Sequence, residues 1–150
     1  MKLYALCPLS DKKVNERVAR INGVFTVLLL LVFSLTLSII PVLILAIDFL
    51  LRASDYSKYS LIGISSKGIA RYFGLDENVI NAGPKIFAAR LGFILSSLII
   101  ISVIFDAYLP ALVLASVLGL FSFLEASLGL CVACEIYPFV FRFLYKVKFQ

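Results

Sequence analysis

From Ile21 to Ile47 the chain carries no charged residue. A helix rises 1.5 Å per residue and needs about 20 apolar residues to cross the hydrocarbon core of a bilayer, so a run of this length points to lipid as solvent. Two more charge-free runs follow, Leu91 to Phe105 and Ala107 to Leu124. With 62% hydrophobic and 15% charged residues, the composition lies well outside the balance of a water-soluble domain. These features indicate one integral membrane domain over residues 1–150.

The first run is too long for one untilted helix, and Pro41 offers the break, because proline fits the first turn of a helix where its missing N–H costs nothing. The expected spans are therefore 18–40, 41–57, 84–105 and 110–128, four transmembrane helices arranged as two antiparallel hairpins in an all-α fold. Ser10 is the expected cap of an amphipathic lead carrying Val14, Val18 and Ile21 at helical spacing. The second helix is expected to run to about Ala53, with its lower end open between a stop there, Arg52 snorkelling to the interface, and a continuation through Ser54 to Ser57. Asn81-Ala-Gly-Pro84 reads as a turn into the third span, Asp106-Ala-Tyr-Leu-Pro110 as a tight turn into the fourth, and Gly129 as its cap.

Between the second and third spans, residues 60–73 set Leu61, Ile64, Ile69, Tyr72 and Phe73 against Lys67 and Arg71, the pattern of a helix lying in the membrane interface. A second interfacial helix is expected over 138–149. All 14 Lys and Arg lie at or before the start of the first span, between Arg52 and Arg90, or after Phe141. The positive-inside rule then puts the N-terminus, the middle segment and the C-terminus in the cytoplasm. The net charge of +5 accordingly reports orientation and attraction to anionic lipid heads rather than to nucleic acid. Residues 1–20 are polar and basic, with no short apolar core followed by a small-residue cleavage site, so the first span is expected to persist in the mature protein.

On that topology Cys7, Cys131 and Cys134 share the cytoplasmic side. Cys131-Val-Ala-Cys134 has the spacing at which two thiols can form a disulfide and influence each other's ionisation. In a reducing cytosol such a pair cycles or binds metal rather than forming a permanent bridge. Zinc would need a fourth ligand, Glu135 or a partner's residue, because the chain has three cysteines and no histidine. No resident cofactor is expected, and no motif supports a quinone. If the motif ended the fourth helix, the negative end of the helix dipole would oppose thiolate formation, which a nearby cation such as Lys85 would offset. The bland alternative is that the cysteines are small apolar fillers. That reading is preferred for Cys7 alone, whereas function is preferred for the pair.

Charged groups inside the bundle form the second signal, each costing about 2.5–3.5 kcal/mol at a helix centre. Arg90 lies 18 positions before Tyr108 and Glu125 17 after it, so equal rise predicts an Arg90–Glu125 ion pair, hydrogen-bonded to Asn22. Asp48 and Arg52, four apart, are expected to pair on one helix face. No phosphate-binding glycine loop, hydrolase serine motif or histidine-based constellation is present.

Cys7-Pro8, Val14-Asn15-Glu16, Ala19-Arg20-Ile21-Asn22, Asp48-Phe49 with Arg52, Ala82-Gly83-Pro84-Lys85, Phe87-Ala88-Ala89-Arg90, and Glu125 with Gly129, Cys131, Cys134 and Tyr137 together form a pattern. From about Cys7 to Tyr137 the chain resembles the bacterial integral membrane family catalogued as domain of unknown function 4395. The resemblance implies that the embedded polar residues and the cysteines are family motif positions, and that the protein sits in a bacterial inner membrane. Some members of that family are linked with thioredoxin-like or rhodanese-like sulfurtransferase proteins, which implies a cytoplasmic partner of that kind.

Three functions from different classes follow as expectations. The first is an intramembrane thiol redox or sulfur-relay protein using Cys131, Cys134 and Cys7, tuned by Arg90 and Glu125. The second is a small oligomeric transporter or channel subunit lining a polar path with Arg90, Glu125 and Asp48. The third is a structural adaptor docking a partner on the interfacial helix. A homodimer is compatible with each.

Overall fold

The computed structural model describes residues 13–54, 56–74, 79–128, 135–136, 138–140 and 142–143. Among the described residues, five α-helices of at least 12 residues carry the fold: α1 (Glu16–Thr36), α2 (Ile39–Ala53), α3 (Leu61–Tyr72), α4 (Ala82–Ile104) and α5 (Tyr108–Leu128). α1, the Lys85–Ile104 stretch of α4, and α5 are each long and apolar enough to cross a membrane. α2 has 15 residues, roughly 22 Å at 1.5 Å per residue, and falls short of that length.

Local chemistry sets most boundaries. Asn15 caps α1 by accepting from Arg17 N–H at 3.0 Å, and Glu16 places a negative charge in the first turn, where the dipole favours it. α1 stops at Leu37, whose left-handed backbone (φ 51°) directs its N–H to Phe33 carbonyl at 2.7 Å. Ser38 then caps α2, and Pro41 falls in its first turn, so the break expected near Pro41 is present three residues earlier. α2 ends at Ala53 rather than continuing to Ser57; a single 3-10 turn, Ser57–Tyr59, leads into α3. The α4–α5 turn closes through Asp106, also left-handed (φ 54°), and Pro110 sits in the first turn of α5.

The amphipathic helical lead capped by Ser10 does not continue through Val14. Residues Lys13–Asn15 form a short strand, β1, paired antiparallel with β2 (Val79–Asn81), with Val14 opposite Ile80. Backbone pairing just before α1 and α4 satisfies donors and acceptors that a helical lead would have satisfied internally. Ser10 itself lies outside the described residues. The interfacial helix expected over 138–149 falls for the larger part outside them as well.

α1 packs beside α2 and α5, α4 packs beside α2 and α5, and α3 lies against α1. The four long elements thus form a ring around Leu30, Phe33, Val42, Leu45, Phe49, Ile99, Ala111, Ala115 and Leu118. Small residues bring the backbones close, as in membrane helix pairs. A Cβ on Gly23 would lie 2.8 Å from Ser122 carbonyl of α5, and one on Gly92 would lie 2.8 Å from the Phe49 ring. The outer surface is apolar: Leu35, Ile40, Ile104, Phe105 and Leu109 are all exposed, whereas Asn22, Thr26, Asp48, Ser60 and Ser66 are buried.

Candidate functional site

Two polar clusters occupy the end of the bundle where α1 begins and α2 and α5 end. The first joins three helices. Asp48, on the last turns of α2, is 2% exposed. Its Oδ1 accepts from Ser60 Oγ and from Ile62 N–H (3.2 Å), so one carboxylate oxygen holds the start of α3. Ser60 also caps α3, accepting from Gly63 N–H at 3.0 Å. The other oxygen, Oδ2, is in ion-pair contact with Arg52 Nη2 one turn along, so the Asp48–Arg52 pair expected from their spacing forms.

Arg52 is fixed from two further directions. Its guanidinium lies 5.0 Å from the centroid of Phe49, and the Phe49 ring lies on the α4 backbone at Gly92. Its Nη1 is 3.3 Å from the side-chain oxygen of Asn22 in the amide orientation that satisfies every neighbour; the Asn22 nitrogen then donates to Ser66 Oγ and to Ile62 carbonyl (3.3 Å). Asn22 therefore belongs to the Asp48–Arg52 cluster and not, as depth alone suggested, to Glu125. Sequence reasoning missed Ser60 and Ser66 as members. The signal for Ser66 is its place between Ile62 and Ala70 at four-residue spacing, a stripe that turns inward on α3.

The second cluster corrects the expected partner of Glu125. Lys85 Nζ, not Arg90, meets Glu125 Oε1 at 3.0 Å, with both side chains largely buried. Lys85 and Arg90 are five residues apart, which at about 100° per residue puts them roughly 140° apart around α4. Matching depth across the hairpin ignored that angle. Arg90 makes no ion pair among the described residues, and its Nη1 is buried with no hydrogen bond. Lys85, Arg90 and Glu125 leave one net positive charge at this end of the α4–α5 pair.

Hydroxyls elsewhere in the long helices are satisfied within their own helix: Thr26 donates to Asn22 carbonyl (3.0 Å), Ser96 to Gly92 (2.8 Å) and Ser116 to Leu112 (2.8 Å). Among the described residues no three acidic, histidine or cysteine side chains converge as a metal site would require. Cys7, Cys131 and Cys134 lie outside the described residues. α5 ends at Leu128, three residues before Cys131, so the motif begins at most about 11 Å of chain beyond α5.

Neither a curated protein nor a solved structure matches the chain. A family model does, over residues 14–142, a stretch that takes in Asn22, Asp48, Arg52, Lys85, Arg90, Glu125 and the Cys131–Cys134 motif. The chain thus belongs to the family described as Domain of unknown function (DUF4395).

Proposed function

We propose that this chain is an intramembrane thiol redox or sulfur-relay protein in which Cys131 and Cys134 are the exchanging pair and Cys7 is a resolving thiol. The observation that carries the reading is the Lys85–Glu125 contact one turn before the end of α5, with Arg90 five residues along α4 from Lys85 and its Nη1 buried without a hydrogen bond among the described residues. The net positive charge of these three groups favours an anionic sulfur species close to them, offsetting the unfavourable dipole at the end of α5. In the exchange, one thiolate attacks a partner's disulfide and releases a partner thiolate. The second cysteine of the pair, or Cys7, then resolves the mixed disulfide by attacking the first cysteine's sulfur, leaving an intramolecular disulfide and a reduced partner. In the sulfur-transfer version, the thiolate takes the terminal sulfur of a persulfide donor and releases the donor's thiolate. The partner is a cytoplasmic thioredoxin-like or rhodanese-like protein.

The same reading places the basic end of the bundle at the cytoplasmic face of a bacterial inner membrane, with both termini there. α2 acts as the fourth span. Its last turn meets Asn22 near the start of α1, which supports its return to the side that α1 left and an arrangement of two antiparallel hairpins.

A transporter subunit lining a path with Arg90, Glu125 and Asp48 is the second reading, favoured by the buried, unbonded Arg90 Nη1. The engagement of Asp48 by Ser60, Ile62 and Arg52 weighs against it. Mass-shift thiol labelling in native membranes, with and without mild oxidant, separates the two. A reversible disulfide or persulfide that is lost in Cys131→Ser or Cys134→Ser supports the thiol reading. Three permanently reduced, inert thiols, together with solute flux abolished by Arg90→Gln, would replace it with the transporter.

A further inference from the structure

We propose that the outer flank of α3 is a binding site for the phosphate headgroup of an anionic lipid, formed by Lys67 and Arg71 and bordered by Tyr72. At about 100° per residue, Ile62, Ser66 and Ala70 form one stripe, and all three are buried against the bundle. The opposite stripe is Leu61, Ile64 and Tyr72; all are exposed, and Tyr72 is 87% so. An apolar stripe with no protein against it suits acyl chains.

Lys67 and Arg71 stand one turn apart on the flank about 80° from that stripe, both exposed. A helix seated in the interface with its apolar stripe toward the acyl chains turns this flank toward the headgroups. Tyr56 and Tyr59, 6.4 Å apart between ring centroids, precede α3, and Tyr72, 5.6 Å from Phe73, closes it, which supplies amphipathic rings at both ends of the helix. Lys67 and Arg71 are the charged residues of α3 itself, and the acidic residues nearest in sequence, Asp55 before it and Asp76 and Glu77 after it, lie outside the helix.

The site is rigid because α3 is pinned from inside. Asp48 holds Ser60 and Ile62 N–H, and Asn22 holds Ser66, the residue before Lys67. The helix backbone that carries the two cations is thereby anchored to α1 and α2, which lowers the ordering cost of binding.

The test titrates the purified full chain, in neutral detergent, with short-chain phosphatidylglycerol or phosphatidylcholine and follows the thermal unfolding midpoint. Phosphatidylglycerol is expected to raise the midpoint saturably and phosphatidylcholine to leave it unchanged. Each cation near an anionic surface is worth about fivefold in affinity, so Lys67→Gln with Arg71→Gln shifts the half-saturating concentration by roughly 25-fold. Arg17→Gln with Arg142→Gln, the same charge change at other exposed positions, shifts it less than about threefold, and Lys67→Arg with Arg71→Lys keeps the response. Equal responses to the two lipids, or equal losses in the two double glutamine variants, would overturn the site. A phosphatidylglycerol response that survives Lys67→Gln with Arg71→Gln, alongside loss of a co-purifying soluble protein, would overturn it in favour of protein docking.

Discussion

Replacing Asp48 by Asn tests whether the buried cluster acts as one unit. The carboxylate accepts two hydrogen bonds, from Ser60 Oγ and Ile62 N–H, and neutralises Arg52. Asn keeps the shape and one acceptor oxygen, so the contacts to α3 survive in part, whereas Arg52 keeps its charge and loses its counter-ion. Removing one partner of a buried pair costs about 3–5 kcal/mol. The Arg52 side chain is 19% exposed and ends its helix, so it can rise toward the interface. That relief lowers the expected cost of Asp48→Asn below that range, to about 2–3 kcal/mol. Arg52→Gln in the Asp48→Asn background removes the stranded charge, and the double variant should be more stable than Asp48→Asn by about 1 kcal/mol. Reversible unfolding in mixed micelles, read by helical circular dichroism over the double-mutant cycle, measures the coupling directly. A cycle that closes with additive losses would refute the argument that Asp48 and Arg52 stabilise α2 and α3 as a pair.

Gly23→Ala should destabilise by about 1–3 kcal/mol in the same unfolding assay, because its Cβ meets the Ser122 carbonyl of α5 at 2.8 Å and backbone cannot rotate away. Gly68→Ala, with nothing within 4 Å in the interior of α3, should stabilise by about 0.5–1 kcal/mol; equal effects at the two positions would contradict the α1–α5 approach. For the thiol reading, Lys85→Gln should slow alkylation of Cys131 and Cys134 roughly three- to tenfold at neutral pH, and Glu125→Gln should speed it, since each removes one charge of opposite sign from the cluster. Unchanged alkylation rates in both variants would detach the ion pair from the cysteines. In a background lacking native cysteines, Asp106→Cys should react with an impermeant maleimide from the periplasmic side and Gly68→Cys only from the cytoplasmic side; labelling of both from one side would overturn the orientation.

Residue chemistry that acts locally was legible in advance. Pro41 and Pro110 mark helix starts, Asp48 and Arg52 pair because they are four apart, and the basic residues mark one end of the bundle. What escaped depends on angles between helices or on partners distant in sequence. The β1–β2 ladder joins two three-residue segments with no signal beyond extended preference at Val14, Val79 and Ile80. By depth Arg90 is the closer match to Glu125, with Lys85 five residues further along α4, and it is the rotation of α4 against α5 that selects Lys85. Ser60 and Ser66 look like every other serine of this chain until the neighbours of their hydroxyls are known. Most helix hydroxyls bond back to their own carbonyls, whereas these two reach Asp48 and Asn22.

That contrast bears on what the buried polar groups do. In a bilayer the apolar effect does not drive helices together, so association rests on close packing and on polar contacts that lipid cannot replace. The α1–α5 contact uses the first means, through Gly23 against Ser122 and Ala126. The α1–α2–α3 contact uses the second, through Asn22, Asp48, Arg52, Ser60 and Ser66. Asn22 and Gly23 are adjacent, so one turn of α1 serves both contacts, and the Gly23 neighbours Ser122 and Ala126 flank Glu125 on α5. A single turn of α1 thus sits between the cluster that holds α3 and the ion pair that precedes the cysteine motif. The two clusters share a mechanical reference even though no hydrogen bond joins them among the described residues.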